Sequence, residues 1–217
     1  MSELLQFSGM VLKSFDHAEF DKRMIVLTRE TGKITVFAKG VKRQGSKNMA
    51  ASMPFVYGTF KLFEGKRAYN LAEADISNYF EELRLDMEKM CYASFFTDIA
   101  DRTTRENNDE AQILRLLYRS MQALLTPGLE NRFVSTVFQL KLLMLNGVYD
   151  GSVDDDVEGA ARHAVDYIMK TDIRDIFAFR VNDTSASQLE SLAEKHRREF
   201  VGGTLKSLEV MKDMGYN

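Results

Sequence analysis

The sequence predicts an α+β fold, a small five-stranded barrel followed by an all-helical domain, on three observations. Up to about residue 77, apolar and polar residues alternate in short runs bounded by glycine-containing turns. After Asn78 the apolar period changes to about 3.6 and stays there. The only two prolines in 217 residues, Pro54 and Pro127, fall where connections or strand edges are expected. The domain boundary is placed accordingly, with 1–78 as the barrel and 79–217 as the helical domain.

"GMVLKSF" supplies the first strand. "MIVLT" and "KITVFAK" are β-rich runs joined by "RETG", where Gly32 can take a positive φ, so they read as a hairpin. "PFVYGTFKLFE" and "RAYNLAEADI" form a second hairpin across "EGK", with Gly65 in the turn. Five short antiparallel strands in roughly 70 residues suit a closed or nearly closed barrel, which leaves few exposed edges.

The helical part opens with "NYFEELRLDMEKMCYASFFTDIADRT", in which Asn78 and Glu81 have capping-box spacing. Phe80, Leu83, Met87, Met90, Phe95 and Ile99 recur at helical intervals, so one long helix is expected. "DEAQILRLLYRSMQALL" follows and stops at "TPG"; "NRFVSTVFQLKLLMLNG" stops at Gly147. Three amphipathic helices with short connections make a bundle. Beyond it come an acidic loop, "DGSVDDDVEG", and helical patterns in "GAARHAVDYIMK", "DIRDIFAFRV" and "SASQLESLAEKHRREFVGGTLKSLEVMKDM".

Cys91 stands alone, which argues against a disulfide framework or a thiolate metal cluster and points to a reducing compartment. "MSELLQFSGMVLKSF" lacks the layout of a secretory signal, and no window approaches the ~18 apolar residues of a membrane span. A cytoplasmic protein without a membrane partner is expected. Charge is distributed unevenly about a formal net of −3. Residues 1–78 carry 12 Lys and Arg against 8 Asp and Glu; residues 79–150 carry 8 against 11, and residues 151–217 carry 9 against 13. A basic front joined to an acidic remainder is the asymmetry of a chain that meets a polyanion at one end.

Motifs for catalysis are thin. "GVKRQGSK" sets Gly40 and Gly45 at the spacing of a Walker A loop, but Ser46 precedes Lys47, the reverse of the order that loop requires. "DGSVDDDVEGAA" puts Asp150, Ser152, Asp154, Asp156 and Glu158 at alternate positions, yet Asp155 stands where a calcium loop needs Gly and Ala161 where it needs Glu. A solvated acidic loop is the simpler reading. His17, His163 and His196 are scattered. No catalytic residue, metal site or cofactor is assigned, and the chain is not read as an enzyme.

What remains is a basic face. In "KITVFAK", Ile34, Val36 and Ala38 fall on one side, leaving Lys33, Thr35, Phe37 and Lys39 on the other. The run leads into a loop that carries Lys42, Arg43 and Lys47 and whose glycines, Gly40 and Gly45, keep backbone amides accessible. Flexible cations beside an aromatic ring suit a single nucleic-acid strand, since phosphates favour charge and unstacked bases a flat apolar surface. Phe37 fits either that stacking role or a place at the barrel end under the helical domain. The rival to nucleic-acid binding is a solvated loop on a barrel that binds protein.

"GMVLKSFDHAEFDKRMIVLTRETGKITVFAKGVKRQGSK" resembles the start of the bacterial RecO family of DNA repair proteins, through residues 9–12, 16–22, 27–32 and 38–47. The resemblance continues through "LAEADISNYFEELRLDMEKMCYASFFTDIADRTTRE" and "FQLKLLMLNG" and resumes at "LKSLEVM", with residues 148–185 the weak part. It implies an N-terminal OB-fold followed by a helical domain. It also implies a DNA recombination mediator, nucleoid-associated, that binds single- and double-stranded DNA and anneals complementary strands. Such proteins work with RecR to load RecA onto DNA coated by single-stranded-DNA-binding protein, whose acidic C-terminal tail they contact. Many relatives insert a four-cysteine zinc module after the third helix; with Cys91 alone, no zinc module is expected here. Arg115, Arg119, Arg132 and Lys141 are candidate anchors for the acidic tail, or else ordinary solvent-facing helix charges. Two other classes stay open: an OB-fold adaptor that binds only protein, and a nuclease built on the carboxylates at 154–156.

Overall fold

In the computed structural model, which describes residues 3–154, 157 and 159–216, the chain completes the five strands of a barrel before its first α-helix, with one 3-10 turn at Ala50–Ser52 between the third and fourth strands. The strands are β1 (Leu4–His17), β2 (Asp21–Thr28), β3 (Gly32–Ala38), β4 (Tyr57–Glu64) and β5 (Tyr69–Asn78). They close in the order β1-β2-β3-β5-β4. All neighbours are antiparallel except β3 and β5, which pair in parallel at Val36↔Tyr69 and Phe37↔Asn70. The expected five-stranded barrel is therefore present.

Closure depends on β1 serving two partners. Its first half pairs with β4, from Leu4↔Phe63 to Met10↔Tyr57, and its second half with β2, from Gly9↔Thr28 to His17↔Asp21. The β2 register slips between Val11 and Lys13. A bulge of this kind bends a strand, and here it lets the consecutive side chains Val11 and Leu12 both be buried, which strict alternation forbids. Inside lie Val11, Met24, Val26, Val36, Phe60 and Leu62. The β3 alternation is as expected: Ile34, Val36 and Ala38 are buried, while Lys33, Thr35 and Phe37 are partly exposed.

Gly32 does two jobs in the β2–β3 turn. Its φ is +71°, which favours glycine, and a Cβ there would press into the carbonyl oxygen of Arg105. Residues 105–107 lie against this turn: the Lys33 N–H donates to the Arg105 carbonyl (3.0 Å) and the Asn107 N–H to the Thr31 carbonyl (3.0 Å). The chain divides into two compact units, one formed by residues 1–84 and 100–114, the other by residues 85–99 and 115–217.

Seven helices follow the barrel among the described residues: α1 (Glu81–Leu85), α2 (Met87–Thr103), α3 (Ala111–Leu124), α4 (Asn131–Leu145), α5 (Gly159–Lys170), α6 (Asp183–Val201) and α7 (Lys206–Asp213). Four expectations about helix starts and ends need correction. The single helix from residue 78 is broken at Asp86, whose side chain accepts the Lys89 N–H (3.1 Å) and so starts a new helix. Asn78 caps differently too, accepting the N–H of Phe80 (2.8 Å), a residue at φ +48°. "DIRDIFAFRV" is a series of turns: the Asp172 carboxylate takes the Arg174 N–H (2.9 Å), competing with helical bonding, while Ile173 and Ile176 are buried. The C-terminal helical stretch is split into α6 and α7 at Gly202 and Gly203, both at φ +59°.

In the second unit α4 is central. Val134, Val137, Phe138, Leu140, Leu142 and Leu143 bury it nearly all round, so it is an interior helix and not the amphipathic one expected. Phe96 of α2 stacks on Phe138 with ring centroids 4.4 Å apart.

Candidate nucleic-acid interface

The basic loop leaves β3 at Lys39 and is pinned from within. Val41 is buried in the barrel core. The Gly40 N–H donates to the Asp21 carboxylate (2.7 Å) and the Lys42 N–H to the Phe20 carbonyl (2.9 Å). Successive turns follow, with Arg43 N–H to Gly40 carbonyl (3.1 Å) and Ser46 N–H to Arg43 carbonyl (3.1 Å). After Gly45 the chain continues in turns to a three-residue 3-10 helix at Ala50–Ser52, not the α-helix that a Walker A loop opens. The backbone is thus held by the β1–β2 hairpin while the side chains project.

Those side chains differ in what they touch. Lys39, Arg43 and Lys47 are exposed, and among the described residues no carboxylate lies within ion-pair distance of them. Lys42 pairs with Asp16 (3.0 Å). Arg43 sits over the Phe20 ring, 5.4 Å from its centroid. Phe37 is partly exposed, with the His17 ring 4.9 Å away.

Lys33 starts the same strand face but is engaged elsewhere. It bonds Asp101 through both the carboxylate (3.1 Å) and the backbone carbonyl, and Lys13 holds the other carboxylate oxygen (2.8 Å). Burial pushes the Asp101 carboxyl up, but the hydrogen bonds and charges of Lys13 and Lys33 outweigh it, so Asp101 is held below the usual carboxylate range. Lys33 is a tie between β3 and α2 within the first unit. It is not a free cation like Lys39.

The four helical cations are likewise spoken for. Lys141 is corrected outright as a surface anchor, because it is 7% exposed. Its ammonium donates to the carbonyls of Ile168 (2.8 Å), Met169 (3.0 Å) and Thr171 (3.1 Å), satisfying all three protons at the electronegative end of α5. Burial pulls its pKa down, with Asp172 acting against that. Arg115 pairs with Asp172 (3.2 Å), and Arg119 donates to the Arg174 carbonyl (2.6 Å). Arg132 pairs with Glu190 and borders a cavity of about 390 Å³ together with Phe95, Thr136, Arg197 and Lys212.

Of the acidic loop, Asp150 accepts the Ser152 N–H (2.9 Å), whereas Asp155, Asp156 and Glu158 lie outside the described residues. Among the described residues no group of three or more His, Cys, Asp or Glu is placed to hold a metal, and no helix is long and apolar enough to cross a membrane. Cys91 is buried, which pushes its thiol up and makes it a poor nucleophile.

Sequence reading missed part of this surface. Phe15 lies opposite Arg23 on β2, and Arg23 opposite Phe37 on β3, so the three form one outward row. The Arg23 guanidinium stands 5.1 Å from the Phe15 centroid. The signal was the hairpin register: with Met24 and Val26 inside, Arg23 and its cross-strand partners must face out.

The residues 1–80 match the family model "Recombination protein O N terminal" and residues 84–149 match "Recombination protein O C terminal". The chain is 31% identical over 144 residues to the DNA repair protein RecO of Clostridium perfringens, covering 66% of this chain and 58% of the relative. It is 32% identical over 139 residues to that of Shouchella clausii, covering 64% and 54%. With the RecO of Acetivibrio thermocellus it shares 25% identity over 244 residues, covering 97% of each. The first two matches thus span little more than half of those relatives, whereas the third spans nearly all of both chains. Matched at both its OB-fold barrel and its central helices, this chain belongs to the RecO family of DNA repair and recombination proteins.

Proposed function

We propose that this chain is a recombination mediator that grips single- and double-stranded DNA with the basic loop of its barrel. It anneals complementary strands and, with RecR, helps load RecA onto single strands coated by single-stranded-DNA-binding protein. The observation that carries the reading is the set of exposed cations Lys39, Arg43 and Lys47, with no carboxylate at ion-pair distance among the described residues, on a loop whose backbone is pinned. Membership of a family whose named relatives are DNA repair proteins supports it. Phe37 adds a stacking surface beside the cations. The action is electrostatic: positive charge shared between two strands screens their mutual repulsion and lets complementary bases meet. No bond is made or broken.

Three phosphate contacts give a single-strand salt slope of about −2.1, a roughly twentyfold loss of affinity between ~50 and ~200 mM salt. If DNA displaces Asp16 from Lys42, a fourth contact steepens the slope to about −2.8 and the loss to roughly fiftyfold. Fluorescence anisotropy over a salt series checks this. Replacing Lys39, Arg43 and Lys47 by Glu should abolish the slope and the strand annealing together. Wild-type protein with no salt-dependent DNA affinity would favour the protein-binding adaptor instead.

For the acidic tail, Arg132 borders an open cavity whose lining also carries Arg197 and Lys212 against the carboxylates Glu190 and Glu194. A peptide ending in Asp and Phe should bind the wild type and lose severalfold in affinity to Arg132→Ala. Equal binding by both proteins would move the tail elsewhere.

A further inference from the structure

The outer face of the barrel carries rings that the loop cations do not need. Phe15 is 43% and Phe20 39% exposed, and Phe37 is partly exposed two residues before Lys39. They are gathered by topology, since Phe15, Arg23 and Phe37 are directly opposed across β1, β2 and β3, and Phe20 sits in the connecting turn. Each ring has a polar neighbour: Arg23 over Phe15, Arg43 over Phe20 and His17 against Phe37. Exposed rings flanked by guanidinium groups keep an apolar face in water while positive charge surrounds it.

Resting on the DNA-binding reading above, we infer that Phe15, Phe20 and Phe37 form a base-stacking platform that selects single strands over duplex, whereas the loop cations hold the backbone of either. Duplex DNA keeps its base faces inside its own stack, so a ring standing on a sheet cannot reach them. An unpaired base presents a free π-face to the ring. Phe15 and Phe37 stand two strand spacings apart, about 10 Å, or roughly three stacking steps, so each ring serves a different base. Charge complementarity identifies the occupant. Arg23 and Arg43 stand beside two of the rings and Lys39 follows Phe37 by two residues, while of the hairpin carboxylates Asp16 and Asp21 are spent on Lys42 and the Gly40 N–H and Glu19 stays exposed.

The test compares anisotropy of the full chain with a labelled oligothymidine strand and with a duplex of equal length. The double variant Phe15→Leu with Phe37→Leu keeps apolar volume but removes the π-faces. It should lose about tenfold or more on the single strand, keep duplex affinity within about twofold and leave the salt slope unchanged. Phe15→Tyr with Phe37→Tyr should restore binding. Equal losses on both substrates, or no loss on the single strand, would overturn the platform. If the Leu variant does not fold by circular dichroism, Phe20→Ala, in a turn outside any strand, gives the same readout. A wild type that binds neither substrate would remove the DNA-binding reading itself.

Discussion

Cations on the barrel loop and cations on the helices look alike in the sequence but have different fates. On the loop, Lys39, Arg43 and Lys47 have no ion-pair partner among the described residues, because the loop is held by Asp21, the Phe20 carbonyl and the buried Val41 and not through these cations' own ion pairs. In the helical unit, Arg115, Arg119 and Lys141 converge on the segment 168–174, where they satisfy the last carbonyls of α5 and fasten the turns after it. A positive charge beside unpaired carbonyls is consumed by the fold. One carried on a loop whose own peptide groups are already bonded stays available to a ligand.

The sharpest way to break this contrast is to remove Lys141. Lys141→Met leaves three carbonyls at the end of α5 without their donor and should cost about 3 kcal/mol of stability, read by urea denaturation, with DNA affinity unchanged. A variant as stable as wild type would show that this lysine is not holding the turn. A smaller effect belongs to Asp101, which ties down Lys13 and Lys33. Its carboxyl titrates lower in the folded protein than in the unfolded chain, so its contribution is present above the unfolded value near 4 and is lost as pH falls through the folded one. Asp101→Asn should therefore cost about 1 kcal/mol at pH 7, with the gap to wild type closing as pH drops below about 4. A gap independent of pH would refute the linkage. The smallest effect is expected at the loop, where Lys39→Ala and Lys47→Ala should change stability by less than about 0.5 kcal/mol. A larger loss would mean that those side chains are structural after all.

Much of the barrel was legible in the chain. Ile34, Val36 and Ala38 point inward as their spacing requires, and Gly32 takes the positive φ its place in "RETG" suggested. The two hairpins emerged for the same reason, since period and turn chemistry are local properties. The bulge at Leu12 was not legible, because it answers to β4 on one side and β2 on the other, a demand no local window contains. Asp86 and the glycine pair 202–203 were visible as residues, yet an apolar period running on both sides of them masked the helix breaks. Among the site residues, Lys39, Arg43 and Lys47 are exposed as expected, Lys33 and Lys141 are engaged by neighbours far away in sequence, and Phe15 and Arg23 were overlooked because only cross-strand register joins them to Phe37.

By itself the sequence determined where strands end and helices begin, that the barrel end is basic, and which family motifs the chain carries, since these depend on residues close to one another along the chain. Tertiary structure decided which positive charges remain for a ligand and which rings stand beside them. Both depend on carboxylates, carbonyls and strands brought together across tens of residues, as when Asp101 captures Lys33 and β2 sets Arg23 between Phe15 and Phe37.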